Sequence, residues 1–568
     1  MTNLAEETNV KSMDVDVKSQ KVAIGTLLYT QKLITSEQLK YALQKQKVTE
    51  EKLGELMVRL GMITDNELAP ILSKQMGLEY YSDHEIEKPD DNVLAMFNQE
   101  LCLRSKFIPI KREGDKLIVI VGNANLSYVS QIVTKRSGLR PKLLMADFGK
   151  VTSSVKFHYF FSNYPIENLV QKEIKILKKD MDQVHNPDLL LDYILHLAVK
   201  QRATDIHIQP DTNSAHISFR IDGVLQPIVG MSKAVVRLVS SIKMRSKMDI
   251  TEQRLPQDGS FTTSVIETPY DVRVSTLSTE YGENVVLRLL PGGVLVRDLS
   301  QLGFLEDDLE VMKKMFSQPA GIVLLTGPTG SGKTTTLHAG LRAHGLSGKN
   351  ILTIEDPIEY KLPVICQTQV NRKANYTFGT AITHFLRHDP DVMLIGEIRD
   401  KETAEAAMTA AETGHLVLST LHVNSAIGVI PRLKALGIHS QIIADSLVGV
   451  VSQRLLRKIC THCSESYMPE LDEWLQVSDD IEISELKRGK GCSHCVGSGY
   501  LGRIPIYEML PVGKEFTNAI ANDVTREEIS KLVEKNGLVS SRQMAKDRVL
   551  DGVTSVEEYM RIIGLELD

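Results

Sequence analysis

Gly327-Pro-Thr-Gly-Ser-Gly-Lys333-Thr334 is the stretch that decides the fold. It fills the pattern G-x-x-x-x-G-K-[ST] at every position. The apolar run Ile322-Val-Leu-Leu325 leads in as a buried strand, and Thr335-Thr-Leu-His-Ala-Gly-Leu341 leads out as a helix. Glycines let backbone N–H groups turn toward phosphate oxygens, and the helix N-terminus adds favourable partial charge. The predicted nucleotide-binding residues are therefore Gly327, Pro328, Thr329, Gly330, Ser331, Gly332, Lys333, Thr334 and Thr335. Lys333 neutralises the β- and γ-phosphates of ATP, and the Thr334 hydroxyl ligates Mg²⁺.

Phosphoryl transfer to water also needs a carboxylate that positions the water and one that organises Mg²⁺. Two acidic segments follow at the ends of predicted strands: Ile351-Leu-Thr-Ile-Glu355-Asp356-Pro-Ile-Glu359 and Asp391-Val-Met-Leu-Ile-Gly-Glu397-Ile-Arg-Asp400. The second reads as a Walker B strand with one departure. Gly396 stands where Asp is common, which leaves Glu397 to act on Mg²⁺. Beyond it, Gly414-His415-Leu-Val-Leu-Ser-Thr-Leu-His422 sets two histidines around a strand-like run.

The chain has 568 residues, more than one hydrophobic core accommodates, so three or four domains are expected. Hydrophobic residues make up 42% and charged residues 24%, the balance of a soluble globular protein. A formal net charge of −6 argues against a whole-surface nucleic-acid binder. Residues 1–20 are polar, carry Glu6, Glu7, Asp14 and Asp16, and read as a disordered tail rather than a signal peptide. No transmembrane segment is expected. The most apolar run, Gly321 to Leu325, is far short of the roughly 20 residues that span a bilayer. These features predict a cytoplasmic location.

The predicted class is a multidomain α/β protein. Residues 21–150 form an N-terminal α+β domain with an internal repeat, with Lys116-Leu-Ile-Val-Ile-Val121 as a buried strand. Residues 151–186 are a linker with some helix, and residues 187–296 a second α+β domain. Its strands are His216–Arg220, Tyr270–Val274 and Val285–Leu289. From 297 to 568 strands and helices alternate, as around a parallel sheet. This last part includes a cysteine-bearing subdomain at 456–500 and two C-terminal helices, capped by Thr525 with Glu528 and by Ser555 with Glu558.

The sequence resembles the secretion-ATPase superfamily, and within it the assembly ATPases of type IV pili and type II secretion. The resemblance rests on GPTGSGKTTT, IEDPIEY, DPDVMLIGEIRD, AAETGHLVLSTLH, RLPQDGSF and ATDIHIQP, spread over roughly 187–565. It implies a RecA-like P-loop domain preceded by α+β domains. Glu359 is then similar to the Asp-box catalytic carboxylate and Glu397 to the Walker B glutamate. His415 and His422 are similar to the His-box residues that sense the γ-phosphate or face a neighbouring subunit. The resemblance further implies a homo-hexamer in which arginines of the preceding domain reach the phosphates. Arg254, Arg273 and Arg288 lie in the matching segments. Such arginines complete charge stabilisation only when an interface closes. Gln209 departs from the Glu common in the family. The implied partners are an inner-membrane platform protein and associated assembly proteins, with the motor peripheral at that membrane and no direct contact with nucleic acid. Two rivals are a nucleic-acid translocase on a RecA-like fold and a regulator that senses a nucleotide without turning it over.

There are six cysteines, of which Cys102 and Cys366 are isolated. The other four form Cys460-Thr-His-Cys463 and Cys492-Ser-His-Cys495, with 28 residues between the pairs. Four thiolates so paired satisfy tetrahedral Zn²⁺ in a structural site, and Arg454, Arg457, Lys458 and Lys490 favour thiolate charge. Disulfide or redox chemistry is the alternative. The resemblance adds that a tetracysteine subdomain marks assembly ATPases rather than retraction ATPases.

Near the N-terminus a pattern recurs at an offset of 29 residues: Ile24-Gly25-x-Leu27-Leu28 with Leu53-Gly54-x-Leu56-Met57, and Leu33-Ile34-Thr35 with Met62-Ile63-Thr64. Each copy reads as a short helix, a turn and a helix opened by a capping box, Thr35 with Gln38 and Thr64 with Glu67. The repeat resembles the domain that binds cyclic di-GMP in some secretion and pilus ATPases. The second copy, from Lys52, fits that motif. The first departs, with Ala23 where an Arg contacts guanine and Lys32 where Gly is usual. Cyclic di-GMP binding and a purely structural or partner-docking role both remain readings of this domain.

Overall fold

A computed structural model describes residues 23–31, 33–60, 62–81, 86–122, 125–179, 187–232, 235–292, 298–345, 348–362, 365–478 and 482–564. The expected tail at 1–20 and Lys32 lie outside these residues. The chain divides into two compact units, 1–162 and 163–568.

In the first unit the repeat becomes two matching helix pairs, Ile24–Thr30 with Ser36–Thr49 and Leu53–Arg59 with Asp65–Met76. Both capping boxes form, so each second helix starts at its expected Thr. The equivalence extends to packing. A Cβ on Gly25 would lie 2.8 Å from Leu39 Cδ1, and one on Gly54 would lie 2.9 Å from Leu68 Cδ1. Each glycine lets its helix close onto the leucine of the next. Leu28 and Met57, 29 residues apart, are both fully buried in one core. Beyond the repeat is a four-stranded sheet in the order Glu79–Tyr80, Arg140–Met145, Lys116–Val121, Phe107–Glu113. Lys116–Val121 is central and buried after its first residue, the pattern of a strand covered on both faces. Helix Phe148–Asn163 ends the unit.

The stretch read as a linker, 151–186, is helical over most of its described length, since helix Ile166–Lys179 follows. It packs on helix Pro187–Lys200 of the second unit, with Lys200 bonded to Glu167. That helix and Val235–Arg245 pack together and on a six-stranded antiparallel sheet. The strand order is Val224–Ser232, Ser214–Ile221, Ala203–Pro210, Gly282–Pro291, Thr268–Thr279, Gln257–Val265. Alternation explains the layer. Ile206 and Ile208 point into the core, whereas Asp205 and His207 lie on the other face.

The larger sheet has seven strands in the order Cys366–Gln369, Ile351–Glu355, Val392–Ile395, Leu416–Leu421, Gly321–Thr326, Leu447–Ile459, Tyr500–Pro511. Six pair in parallel, and the long edge strand Tyr500–Pro511 is antiparallel. Strands Ile351–Glu355, Val392–Ile395, Leu416–Leu421 and Gly321–Thr326 are buried at every residue, as a sheet with two covered faces requires. Strand Gly321–Thr326 illustrates the two faces: Val323 and Leu325 join one hydrophobic core, Ile322 and Leu324 the other.

Candidate active site

The parallel strands bring their carboxyl ends to one edge of the sheet, where ligands bind in open α/β folds. Register fixes which residues meet there. Thr326 lies opposite Leu421, and Ile395 lies opposite Ser419. Gly327, Asp356, Glu397 and His422 therefore leave the sheet on the same side. Helix Lys333–Gly345 leads away from the phosphate loop.

The loop uses its glycines for distinct reasons. Gly327 has φ +131°, and a Cβ there would lie 2.2 Å from the carbonyl oxygen of Gln453. Gly330 and Gly332 have φ +79° and +88°. Pro328, Thr329 and Gly330 are exposed, Ser331 and Lys333 buried, Thr334 and Thr335 half-buried. The Lys333 ammonium donates to the carbonyls of Gly327 at 2.8 Å and Pro328 at 2.9 Å. Burial lowers the pKa of Lys333, and the charge of nearby Glu397 opposes that shift. Gln453 holds the loop from the neighbouring strand. Its amide donates to Ser331 O at 2.7 Å and its oxygen accepts from the Thr336 hydroxyl at 2.9 Å. Motif spacing gives no hint of Gln453, which lies 122 residues from Ser331.

Glu397 and His422 come together, with Nε2 3.2 Å from Oε2, although 25 residues separate them. Arg399, not singled out in the sequence, lies 2.7 Å from the same oxygen. Gly396 is explained by space. A Cβ there would lie 3.2 Å from Phe378 Cε1 and 3.3 Å from Ile354 O. His415 is placed elsewhere. It precedes strand Leu416–Leu421 at the amino end, its carbonyl accepts from Gly321 N, and its Nδ1 lies 2.9 Å from Ala410 O. A strand of six residues separates it from His422, about 20 Å. Within one chain His415 is thus not part of this cluster. Glu359 is exposed on the loop after strand Ile351–Glu355.

The three arginines differ. Arg273 Nη2 donates to Ile358 O at 3.3 Å, so the antiparallel-sheet domain reaches the loop that carries Glu359. Arg288 pairs with buried Asp205 at 2.9 Å, and its side chain is half exposed. Arg254 is 92% exposed and lies 4.0 Å from Glu252. Its backbone is well held, because the Glu252 carboxylate accepts from the N–H of Arg254 and of Leu255.

The four paired cysteines converge, their sulfurs all within 4.8 Å of one another. Cys460 to Cys492 is 3.8 Å, Cys463 to Cys495 is 3.8 Å and Cys492 to Cys495 is 3.7 Å. A tetrahedral ion with metal–sulfur bonds of about 2.3 Å needs sulfurs about 3.8 Å apart, so the group fits such an ion. Disulfide bonds, at about 2.05 Å, do not fit these spacings, and all six cysteines are unbridged. Burial pushes the Cys460 thiol up to about 12. Burial acts the same way on Cys495, but N–H groups of Cys492 and Gly499 aimed at its sulfur bring it down to about 7. Ala23, in the N-terminal repeat, is an exposed N-cap with no side-chain bond to its helix.

Taken together, the fold and site define a mixed α/β multidomain protein with a phosphate-loop sequence at the carboxyl edge of a largely parallel sheet. The chain belongs to the type II/IV secretion system protein family, which matches residues 180–561. The type IV pilus assembly ATPase PilB of Thermus thermophilus is 35% identical over 525 residues, covering 90% of this chain. This chain spans 59% of that relative's length. The type II secretion system ATPase E of Vibrio cholerae is 40% identical over 434 residues, 76% of this chain and 84% of that protein. Among solved structures, the ATPase DotB of Legionella pneumophila has a TM-score of 0.50 at 22% identity, covering 68% of this chain and 98% of that one. This last likeness is one of fold. Among the described residues, no helix is long and apolar enough to cross a membrane.

Proposed function

We propose that the chain is an ATP-hydrolysing motor of the extension type, working as a homo-hexamer at the cytoplasmic face of an inner membrane. It powers assembly of a type IV pilus or a type II secretion pseudopilus through a membrane platform protein and associated assembly proteins. The observation that carries this reading is the meeting of Glu397 and His422 at the same carboxyl edge of the sheet from which the loop carrying Lys333 leaves. The named activities of the pilus and secretion relatives support it.

In this reading the RecA-like domain holds ATP at Gly327–Thr335, with Mg²⁺ on Thr334 and Glu397. Glu359 orients the attacking water, and His422 senses the γ-phosphate through Glu397. Arg273 and Arg288 approach from the preceding domain, whereas Arg254 and His415 serve a neighbouring subunit. Closing that domain onto the nucleotide and releasing it after hydrolysis supplies the working motion. Zn²⁺ on Cys460, Cys463, Cys492 and Cys495 stabilises the 456–500 subdomain, and its filled shell leaves no position for substrate. The N-terminal repeat is a docking module for a partner. Cyclic di-GMP is its alternative ligand, disfavoured by Ala23 in place of a guanine-binding Arg.

Steady-state ATPase assays of the full chain test the motor. Lys333→Ala and Glu397→Ala are each expected to lower kcat at least about 100-fold. Turnover that survives in both variants sinks the assignment. Stimulation of the wild type by DNA, with a steep salt dependence, would favour a translocase instead.

A further inference from the structure

The phosphate-loop helix carries a second polar group that none of the motif roles uses. His338 lies on helix Lys333–Gly345, five residues beyond Lys333, and is fully buried. Its Nε2 is 3.0 Å from Oε2 of Glu355, the last residue of strand Ile351–Glu355, which is 3% exposed. The other carboxylate oxygen accepts from the Thr353 hydroxyl at 2.7 Å and the Gln367 amide at 3.0 Å.

The same knot grips the far end of the loop that follows. Gln367 also donates to Tyr360 O at 2.8 Å. The Tyr360 ring meets the His338 imidazole edge-on, with centroids 5.4 Å apart, and its hydroxyl is 3.4 Å from Thr335 Oγ1. Residues 356–359, with Glu359 among them, therefore run between two anchors, Glu355 and Tyr360. Both anchors touch the helix that begins at Lys333.

Burying a carboxylate beside an imidazole is an unfavourable way to fill space. Apolar residues of similar volume pack such a site at equal or better stability. Here the penalty is visible, because His338 Nδ1 is buried without a hydrogen-bond partner. The bonds that the knot does make give directionality, since they hold one geometry where an apolar contact tolerates several.

We infer that His338 and Glu355 are positioning residues that fix where Glu359 stands relative to the phosphate loop. The pair ties both anchors of the Glu359 loop to the helix that begins at Lys333, so turnover depends on it more than ATP affinity does. The inference rests on the reading of Glu359 as the water-orienting carboxylate.

The test uses the full chain with Mg-ATP and four variants, His338→Leu, His338→Gln, Glu355→Gln and Glu359→Gln. It reads kcat, KM and melting temperature. The side-chain amide introduced by His338→Gln can still donate to Glu355, whereas the leucine of His338→Leu cannot. His338→Leu and Glu355→Gln are expected to lower kcat about 10- to 100-fold with KM within about threefold of wild type. His338→Gln is expected to recover kcat to within about threefold of wild type. Wild-type kcat in His338→Leu, beside an inactive Glu359→Gln, overturns the inference and leaves the Glu359 role standing. Equal losses of kcat and melting temperature in His338→Leu and His338→Gln also overturn it, because a packing role alone gives that result. Wild-type turnover in Glu359→Gln removes the reading beneath it, and the inference falls with it.

Discussion

A single missing Cβ accounts for the one departure in the segment that reads as Walker B. Gly396 sits between the Phe378 ring and the backbone of strand Ile351–Glu355. The ring can shift by a few tenths of an ångström, but the Ile354 carbonyl is fixed in the sheet and accepts from Gly396 N at 2.8 Å. Gly396→Asp, which restores the residue common at this position, is therefore expected to destabilise the protein by about 1–3 kcal/mol without raising kcat. The measurement is the midpoint of thermal denaturation beside the ATPase rate. An unchanged midpoint would mean that the close approach is not what selects glycine. Gln453 teaches the same lesson from the opposite side. Its two amide contacts brace the phosphate loop, yet nothing within the loop's own sequence asks for it.

At the scale of elements, the C-terminal helix Val556–Ile562 illustrates a cap that is only half a box. Ser555 accepts from Glu558 N as the sequence predicts. The Glu558 carboxylate does not return to Ser555. It is fully buried and bonded to Arg457 on strand Leu447–Ile459 and to Arg561 one turn on. Two guanidinium groups and the Arg457 N–H take the buried charge in place of the Ser555 N–H. Burial pushes the Glu558 pKa up, but its bonds to Arg561 and Arg457 prevail and hold it below the usual carboxylate range. A depressed folded pKa stabilises the protein above the unfolded value of about 4.3, and the gain is lost as pH falls through the depressed value. Glu558→Gln leaves buried Arg457 without its main counter-charge and is expected to cost about 3–5 kcal/mol at pH 7. Part of the acid sensitivity of the wild type should vanish with it. Urea unfolding of both proteins between pH 3 and pH 7 checks this, and parallel pH profiles would refute it.

At the scale of the whole molecule, the arginines differ in how far one chain commits them. Arg273 reaches the Glu359 loop within the chain, but Arg254 is almost wholly exposed on a loop braced by Glu252. Two further bonds brace that loop: buried Lys243 donates to Glu252 O at 2.6 Å, and Gln257 donates to Asp249 O at 2.9 Å. A rigid loop that presents an unburied guanidinium suits a site on a second copy. In the proposed ring, specific activity should rise with protein concentration as subunits associate. Arg254→Ala is expected to lower the plateau about tenfold or more while leaving the association midpoint within about threefold. Sedimentation alongside the ATPase assay separates the two effects. Full activity of the variant at saturating concentration would remove Arg254 from the mechanism.

The sequence alone determined the features whose geometry is local. The capping boxes at Thr35, Thr64 and Thr525 and the strand-loop-helix course around Gly327–Lys333 are each set by residues a few positions apart, where backbone preference decides the outcome. The strands His216–Arg220, Tyr270–Val274 and Val285–Leu289 were legible for the same reason, through alternation. Tertiary structure decided which distant residues meet. Strand order and parallel register bring Glu397 to His422. They also set Gln453 against the phosphate loop and His338 against Glu355. No local preference encodes those contacts, because they arise only when the sheet closes and hydrophobic burial fixes which strands are neighbours.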